Sequence, residues 1–173
     1  MATVTPINSW PVPVSTDLVK DGAVAIESLG DAIDASVGSG LLAWQSWAPT
    51  LGGGWLNGNG TWTATYCQIG KTVHIRAAFT VGSTTTKGTN MTISLPVTAA
   101  WASTVSNCYS TIGGTQYALL ARLESTTSTR IIAQVASGTY VSVTQVIGTG
   151  AGAVPAAWST SDSIAYQITY QAA

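Results

Sequence analysis

The chain has 173 residues, of which 46% are hydrophobic and 8% are charged, with a formal net charge of −1 at pH 7. This length allows one sizeable hydrophobic core plus a short appendage. The few lysine and arginine residues are not clustered, which excludes a surface that tracks nucleic-acid phosphates.

Charge divides the chain into two unequal parts. The first 38 residues hold five acids and one lysine, a net charge of −4, and the remainder holds five bases and two acids, a net charge of +3. Pro6, Pro11 and Pro13 predict an extended arm, because each proline fixes φ and pushes the preceding residue out of the helical region. The apolar Ile7 and Trp10 of this arm are expected to lie on another surface, either that of a partner or that of the same domain.

One stretch with helical periodicity follows, from Ser15 to Gly38. The hydroxyl of Ser15 can cap the first turn, where Asp17 complements the helix dipole. The flexible sequence Gly38-Ser-Gly40 can end the helix. With two internal glycines, an isolated helix of about 22 residues is only marginally stable. We therefore expect it to pack against something.

The apolar face of this helix is the predicted surface for attachment and oligomerisation. A heptad register starting at Val19 places Val19, Ile26 and Ile33 at position a and Leu29 at position d, as in a coiled coil. Three partners remain open for this face: further copies in a parallel bundle, a larger assembly, or the chain's own β-domain. The short heptad pattern does not distinguish two strands from three.

From Trp44 onward the hydrophobic period changes to two. The clearest strand runs from Thr72 to Val81, with Val73, Ile75 and Phe79 on one face. Similar alternation recurs along the chain and gives roughly eight or nine strands separated by glycine-rich turns. The fold predicted for residues 41–173 is mainly β, an antiparallel, jelly-roll-like β-sandwich, preceded by an extended arm and a short amphipathic helix in residues 1–38.

The residues of this β-domain that could carry chemistry are scattered. His74 is the only histidine and lies in mid-strand without an acidic sequence neighbour, so we expect it at the surface or at a subunit interface. Glu124 is expected in a surface ion pair, and Asp162 in local turn hydrogen bonds. Cys67 and Cys108 match no metal or redox spacing and are expected to be buried free thiols, with a disulfide as the alternative. The sequence predicts no catalytic residue, no metal site and no cofactor.

A tryptophan cluster marks the start of the β-domain. Its members are Trp44, Trp47, Trp55 and Trp62, interspersed with glycine-rich loops. On exposed loops such rings can stack against carbohydrate or pack between subunits. The alternative is that most of them belong to the core or to a lid over it.

Distinctive segments occur near both ends of the chain. The N-terminal part contains Pro6-Ile-Asn-Ser-Trp-Pro11, Asp17-Leu-Val-Lys-Asp-Gly-Ala23, Ala25-Ile26, Leu29-Gly30 and Ala32-Ile-Asp34. The β-domain opens with Trp44-Gln-Ser-Trp-Ala-Pro-Thr-Leu51, Gly60-Thr-Trp-Thr-Ala-Thr-Tyr66 and Gln68-Ile-Gly-Lys-Thr-Val73, and closes with Ala157-Trp158, Ser161-Asp162 and Ile168-Thr-Tyr170. Together these segments resemble the small fibre and minor tail proteins of phages that infect actinobacteria.

The resemblance implies a non-enzymatic virion protein, made in the host cytoplasm and assembled into the particle. It implies a homotrimer in which residues 1–38 bind other virion proteins and the sandwich points outward, where it could contact host-surface carbohydrate. A head fibre or capsid decoration protein is the first alternative. The second is an envelope polysaccharide depolymerase, which the scarcity of carboxylates disfavours. Neither nucleic acid nor membrane insertion is expected, since no segment approaches the length of an apolar span.

Overall fold

The computed structural model describes residues 3–4, 9–12, 19–36, 43–137 and 140–173. The chain separates into two compact units, Met1–Ala43 and Trp44–Ala173. We call them the N-terminal unit and the β unit.

Among its described residues, the N-terminal unit contains one helix and a minimal strand pair. Strand β1 (Thr3–Val4) pairs antiparallel with β2 (Pro11–Val12), and β2 lies beside the helix α1 (Val19–Ser36). The predicted caps at Ser15 and Gly38 and the arm residue Ile7 lie outside the described residues.

The β unit contributes ten strands to one curled antiparallel sheet. They are β3 (Gln45–Ser46), β4 (Leu51–Gly52), β5 (Thr61–Ile69), β6 (Thr72–Thr80), β7 (Thr92–Ser94), β8 (Val105–Ile112), β9 (Thr115–Leu123), β10 (Ser128–Ser137), β11 (Tyr140–Gln145) and β12 (Ser163–Gln171). The prediction of a mainly β, antiparallel fold with one helix is confirmed.

The order of the strands brings distant parts of the sequence together. The sheet runs β3-β5-β6-β12-β8-β9-β10-β7-β4. One edge of β10 is shared, because its first residues pair with β7 and its later residues pair with β11. The last strand, β12, lies between β6 and β8 and pairs with both. Four strands, β5, β6, β12 and β8, therefore form one continuous face.

The core of the β unit follows from the period-two pattern. Val73, Ile75, Ala77 and Phe79 of β6 are buried, and the residues that alternate with them face outward, because successive side chains of a strand point to opposite sides. Ile164 and Ile168 of β12 continue the buried layer. Each large apolar side chain buried in this way stabilises the fold by about 1.5–3 kcal/mol.

Hydrogen bonds to Asn57 and Asn59 hold two loops together at one end of the sheet. The Asn59 Oδ1 atom accepts a hydrogen bond from the Thr84 backbone N–H at 2.9 Å, and the backbone carbonyl of Asn57 accepts one from the Thr85 hydroxyl at 2.7 Å. Gly58 between them has a φ of +53°, and a Cβ there would lie 2.3 Å from the Thr84 carbonyl oxygen. Only glycine fits this close approach without strain.

Candidate functional site

A groove crosses the outward face of β5, β6, β12 and β8. In one row of this face, Ala78 on β6 lies opposite Thr63 on β5 and Ala165 on β12, and Ala165 lies opposite Tyr109 on β8. Because two alanines separate the larger side chains, the surface sinks between them. The resulting hollow has a volume of about 720 Å³. We call it the outer groove.

The next row of the same face is polar. Arg76 lies opposite Thr65 on β5 and Gln167 on β12, and Asn107 on β8 also lines the outer groove. These side chains offer a guanidinium, a hydroxyl and two amides, so donors and acceptors face the same volume. A few convergent polar groups in a concave site fix the orientation of a bound small molecule.

The two acidic side chains of the β unit are engaged away from the outer groove. Glu124 Oε2 lies 3.3 Å from Arg122 Nη2, and Arg130 pairs with the other oxygen of Glu124. The predicted ion pair of Glu124 is confirmed, and Arg130 adds a second cation to it. Arg76 forms no ion pair within the described residues, so its guanidinium faces the outer groove as an unpaired positive charge.

Asp162 has a structural role. Its Oδ2 atom accepts the Ser159 N–H at 2.6 Å, which confirms the predicted local turn bond. Its Oδ1 atom accepts the N–H of Gly113 at 2.9 Å, in the turn between β8 and β9. Asp162 is buried, and both carboxylate oxygens are used to join two loops.

A smaller hollow of about 400 Å³ adjoins the outer groove, and Gln167 lines both. Its other residues include Trp44, which is 55% exposed, and His74. The His74 Nδ1 atom forms a hydrogen bond with the Thr169 hydroxyl at 2.9 Å. Trp44 is thus the one predicted tryptophan that offers a broad ring surface beside the outward face.

The other three tryptophans of the predicted cluster support the fold. Trp55 has no exposed surface, and Trp62 packs against Phe79 with ring centroids 4.7 Å apart. Trp47 is half-buried against the same core. A ligand in solution cannot reach the ring of Trp55, and the rings of Trp47 and Trp62 give most of their surface to the core.

The cysteines are buried free thiols, as predicted. Burial raises the pKa of the Cys108 thiol to about 12, so it stays protonated at neutral pH and is a poor nucleophile. Cys67 lies opposite His74 in the pairing of β5 with β6, although the ring bonds to Thr169 instead. Across the part of the chain that the structure describes, no three metal-binding side chains come together.

The helix α1 carries the second candidate surface. Ile26 is 65% exposed and Ile33 is also exposed, and both lie on the same side of the helix, seven residues apart. Leu29 lies between them and is half-buried. Val19 is the first residue of the helix, and Trp10, just before β2, is half-buried.

Sequence reasoning did not nominate Arg76, Asn107, Tyr109 or Gln167. Each stands at an outward position of a strand, and the alternation that places Ile75 and Ile168 in the core already turns Arg76 and Gln167 outward. That signal was present in the sequence. The sequence does not reveal the strand order that puts these positions side by side.

No helix in the described part of the chain combines the length and the apolar character that a bilayer crossing requires. Compared with protein-family models, with curated proteins and with solved structures, the chain matches none of them. A function for this chain is therefore inferred from its own residues and their geometry.

Proposed function

We propose that the chain is a non-enzymatic phage virion protein, a short trimeric tail fibre or minor tail protein whose β unit contacts carbohydrate on the host surface. One observation supports the binding role in this proposal: the β unit presents a groove with unengaged polar groups, while both of its acidic side chains are committed to structural contacts. Such a surface can bind a polyhydroxylated ligand, and it lacks the pair of free carboxylates that glycoside hydrolysis usually needs.

The dimensions of the outer groove support a saccharide ligand. Its volume of about 720 Å³ lies within the range of small-molecule sites, roughly 300–1,000 Å³. Tyr109 is 53% exposed at one side of the groove, and an aromatic ring at such a position offers an apolar face with a polar tip. Thr63 and Thr65 line the opposite side and add hydroxyl groups.

The N-terminal unit supports an attachment role. Ile26 is 65% exposed and Ile33 is 37% exposed on α1, and covering this apolar surface would gain part of the about 1.5–3 kcal/mol that a fully buried side chain provides, which favours either self-association or docking on another virion protein. In the proposed assembly three copies join through this face, and residues 1–38 bind the particle. The curled sheet would form a jelly-roll-like sandwich, with β5, β6, β12 and β8 as one of its two layers.

The test combines location, assembly and binding. Gold-labelled antibody against the β unit is applied to intact particles, light scattering gives the mass of the purified protein, and the labelled full chain is titrated with envelope polysaccharide of the host. We expect label at the tail, a trimer, and saturable binding. Label on the capsid would instead identify a head fibre or decoration protein. Shortening of the polysaccharide during incubation would identify a depolymerase and overturn the proposal.

A further inference from the structure

We propose that the outer groove selects a saccharide with an acidic substituent, a carboxylate or a phosphate, which pairs with Arg76 while a neighbouring sugar ring packs on Tyr109. This inference rests on the proposed contact with host carbohydrate and specifies the chemical class of the ligand.

The unpaired charge of Arg76 favours an acidic ligand. Arg76 is the one charged side chain that lines the outer groove, and it forms no ion pair within the ranges that the structure describes. Glu124 is bound by two arginines, and Asp162 is bound by two backbone N–H groups. A guanidinium presents a planar fork of donors that matches a carboxylate or a phosphate with two parallel hydrogen bonds.

Polar side chains flank Arg76 on both sides. Thr65 and Gln167 flank it on the two neighbouring strands, so a hydroxyl and an amide stand beside the guanidinium. These groups can bind the hydroxyls next to an acidic substituent on a sugar ring.

The spacing between Arg76 and Tyr109 suits a ligand of more than one sugar ring. Arg76 is on β6 and Tyr109 is on β8, with β12 between them, and Tyr109 is offset from Arg76 by two residues along the strands, so the two Cα positions are about 12 Å apart. The floor between them contains Ala78 and Ala165, whose small side chains leave room for a ligand. This span accommodates at least two linked sugar rings, with the acid at one end and the stacked ring at the other.

A second copy of the β unit fits the outer groove less well. The centre of a self-association interface is depleted in charged side chains, and a buried arginine there would need an acidic partner. Both acidic side chains of the β unit are already engaged. A second β unit therefore brings no free carboxylate for Arg76.

The experiment uses the full chain and host envelope polysaccharide in three forms: native, carboxyl-reduced and dephosphorylated. Arg76→Gln removes the charge, Tyr109→Ala removes the ring, and Lys71→Gln is the matched control, since Lys71 is exposed and does not line the groove. We expect the wild type to bind the native form at least tenfold more tightly than the form that lacks the relevant acid. Arg76→Gln should abolish that preference and keep the residual binding, Tyr109→Ala should weaken binding to every form, and Lys71→Gln should bind as the wild type does.

The failures of the two proposals are distinguishable. Equal binding of all three forms, unchanged by Arg76→Gln, overturns the acidic-ligand inference and leaves the carbohydrate contact intact. No binding of any form overturns both. A change in the light-scattering mass of Arg76→Gln shows that the groove is an interface between copies, which also overturns the inference. The form that loses affinity, carboxyl-reduced or dephosphorylated, identifies the acid.

Discussion

The rings of Trp55 and Trp158 meet edge to face, with centroids 5.5 Å apart and planes at 85°. Trp55 follows β4 and Trp158 precedes β12, so the contact joins two loops that are distant in the sequence. Gly148 packs so closely against this pair that a Cβ there would lie 2.6 Å from the ring of Trp55. The tryptophan pair is therefore part of the core of the β unit.

Trp158→Ala should lower the free energy of unfolding by about 3–5 kcal/mol, because it removes a buried aromatic side chain and leaves a cavity beside Trp55. Urea denaturation, monitored by circular dichroism, measures this loss of stability. Trp44→Ala is the control, since Trp44 is exposed and its removal should change stability by no more than about 0.5 kcal/mol. Equal stability of the two variants would contradict the assignment of Trp158 to the core.

Asp162→Ala should lower the free energy of unfolding by about 1–3 kcal/mol, because the N–H groups of Gly113 and Ser159 lose their acceptor. Asp162→Asn should cost less, since the amide keeps one acceptor oxygen. Glu124→Gln is the comparison at a more exposed site, where a surface ion pair contributes about 0–1 kcal/mol. Thermal unfolding of the three variants gives the ranking, and a larger loss in Glu124→Gln than in Asp162→Ala would refute it.

Alkaline pH should destabilise the β unit. Burial raises the pKa of Cys108 from its ordinary value of 9.0 to about 12, and it raises the pKa of Tyr170 to about 12 as well. Above pH 9 the unfolded chain releases the thiol proton while the folded chain keeps it, so stability is full below pH 9 and falls as the pH rises towards 12. Each such group lowers the free energy of unfolding by up to about 1.4 kcal/mol per pH unit in this range.

Melting temperatures between pH 8 and pH 11 measure this effect. Cys108→Ala should reduce the alkaline slope relative to the wild type, although its stability at pH 8 will be lower because of the lost packing. An unchanged slope in that variant would show that Cys108 does not contribute to it.

If the proposed attachment is right, the double variant Ile26→Asp with Ile33→Asp should be absent from purified particles and should not form the proposed trimer, because charges on this helix face would be costly to bury. The β unit should keep its cooperative melt, since it is a separate compact unit. Val24→Asp is the matched control: Val24 is also exposed but lies on the opposite side of α1. Normal incorporation of the double variant, measured by mass spectrometry of virions, would place attachment outside this helix face.

The strands of the β unit could be predicted because successive side chains of a strand point to opposite faces of the sheet. In β6 every second residue, from Val73 to Phe79, is apolar and buried, so the pattern shows both the strand and its inner face. In α1 the spacing of Ile26 and Ile33 likewise predicted the helix and its apolar side, although both side chains are exposed.

The candidate site could not be predicted in the same way. Arg76 and Tyr109 come together only because β12, from the end of the chain, lies between β6 and β8, and one sequence does not specify that pairing. The tryptophans left two interpretations open for a related reason. Loop residues such as Trp55 have no period from which burial can be read, so only the fold separates Trp44 from Trp55.

The asparagine-bound loops have a consequence for chemical ageing. Asn57-Gly58 and Asn59-Gly60 are sequences in which, in an unfolded chain, the glycine nitrogen readily attacks the preceding side-chain amide and the asparagine deamidates. In the fold, the Asn57 amide is held between the Leu51 N–H and the Pro49 carbonyl, and the Asn59 amide is held by the loop that contains Thr84. Neither side chain is free to swing towards its glycine. Resistance of Asn57 and Asn59 to deamidation therefore depends on the β unit remaining folded.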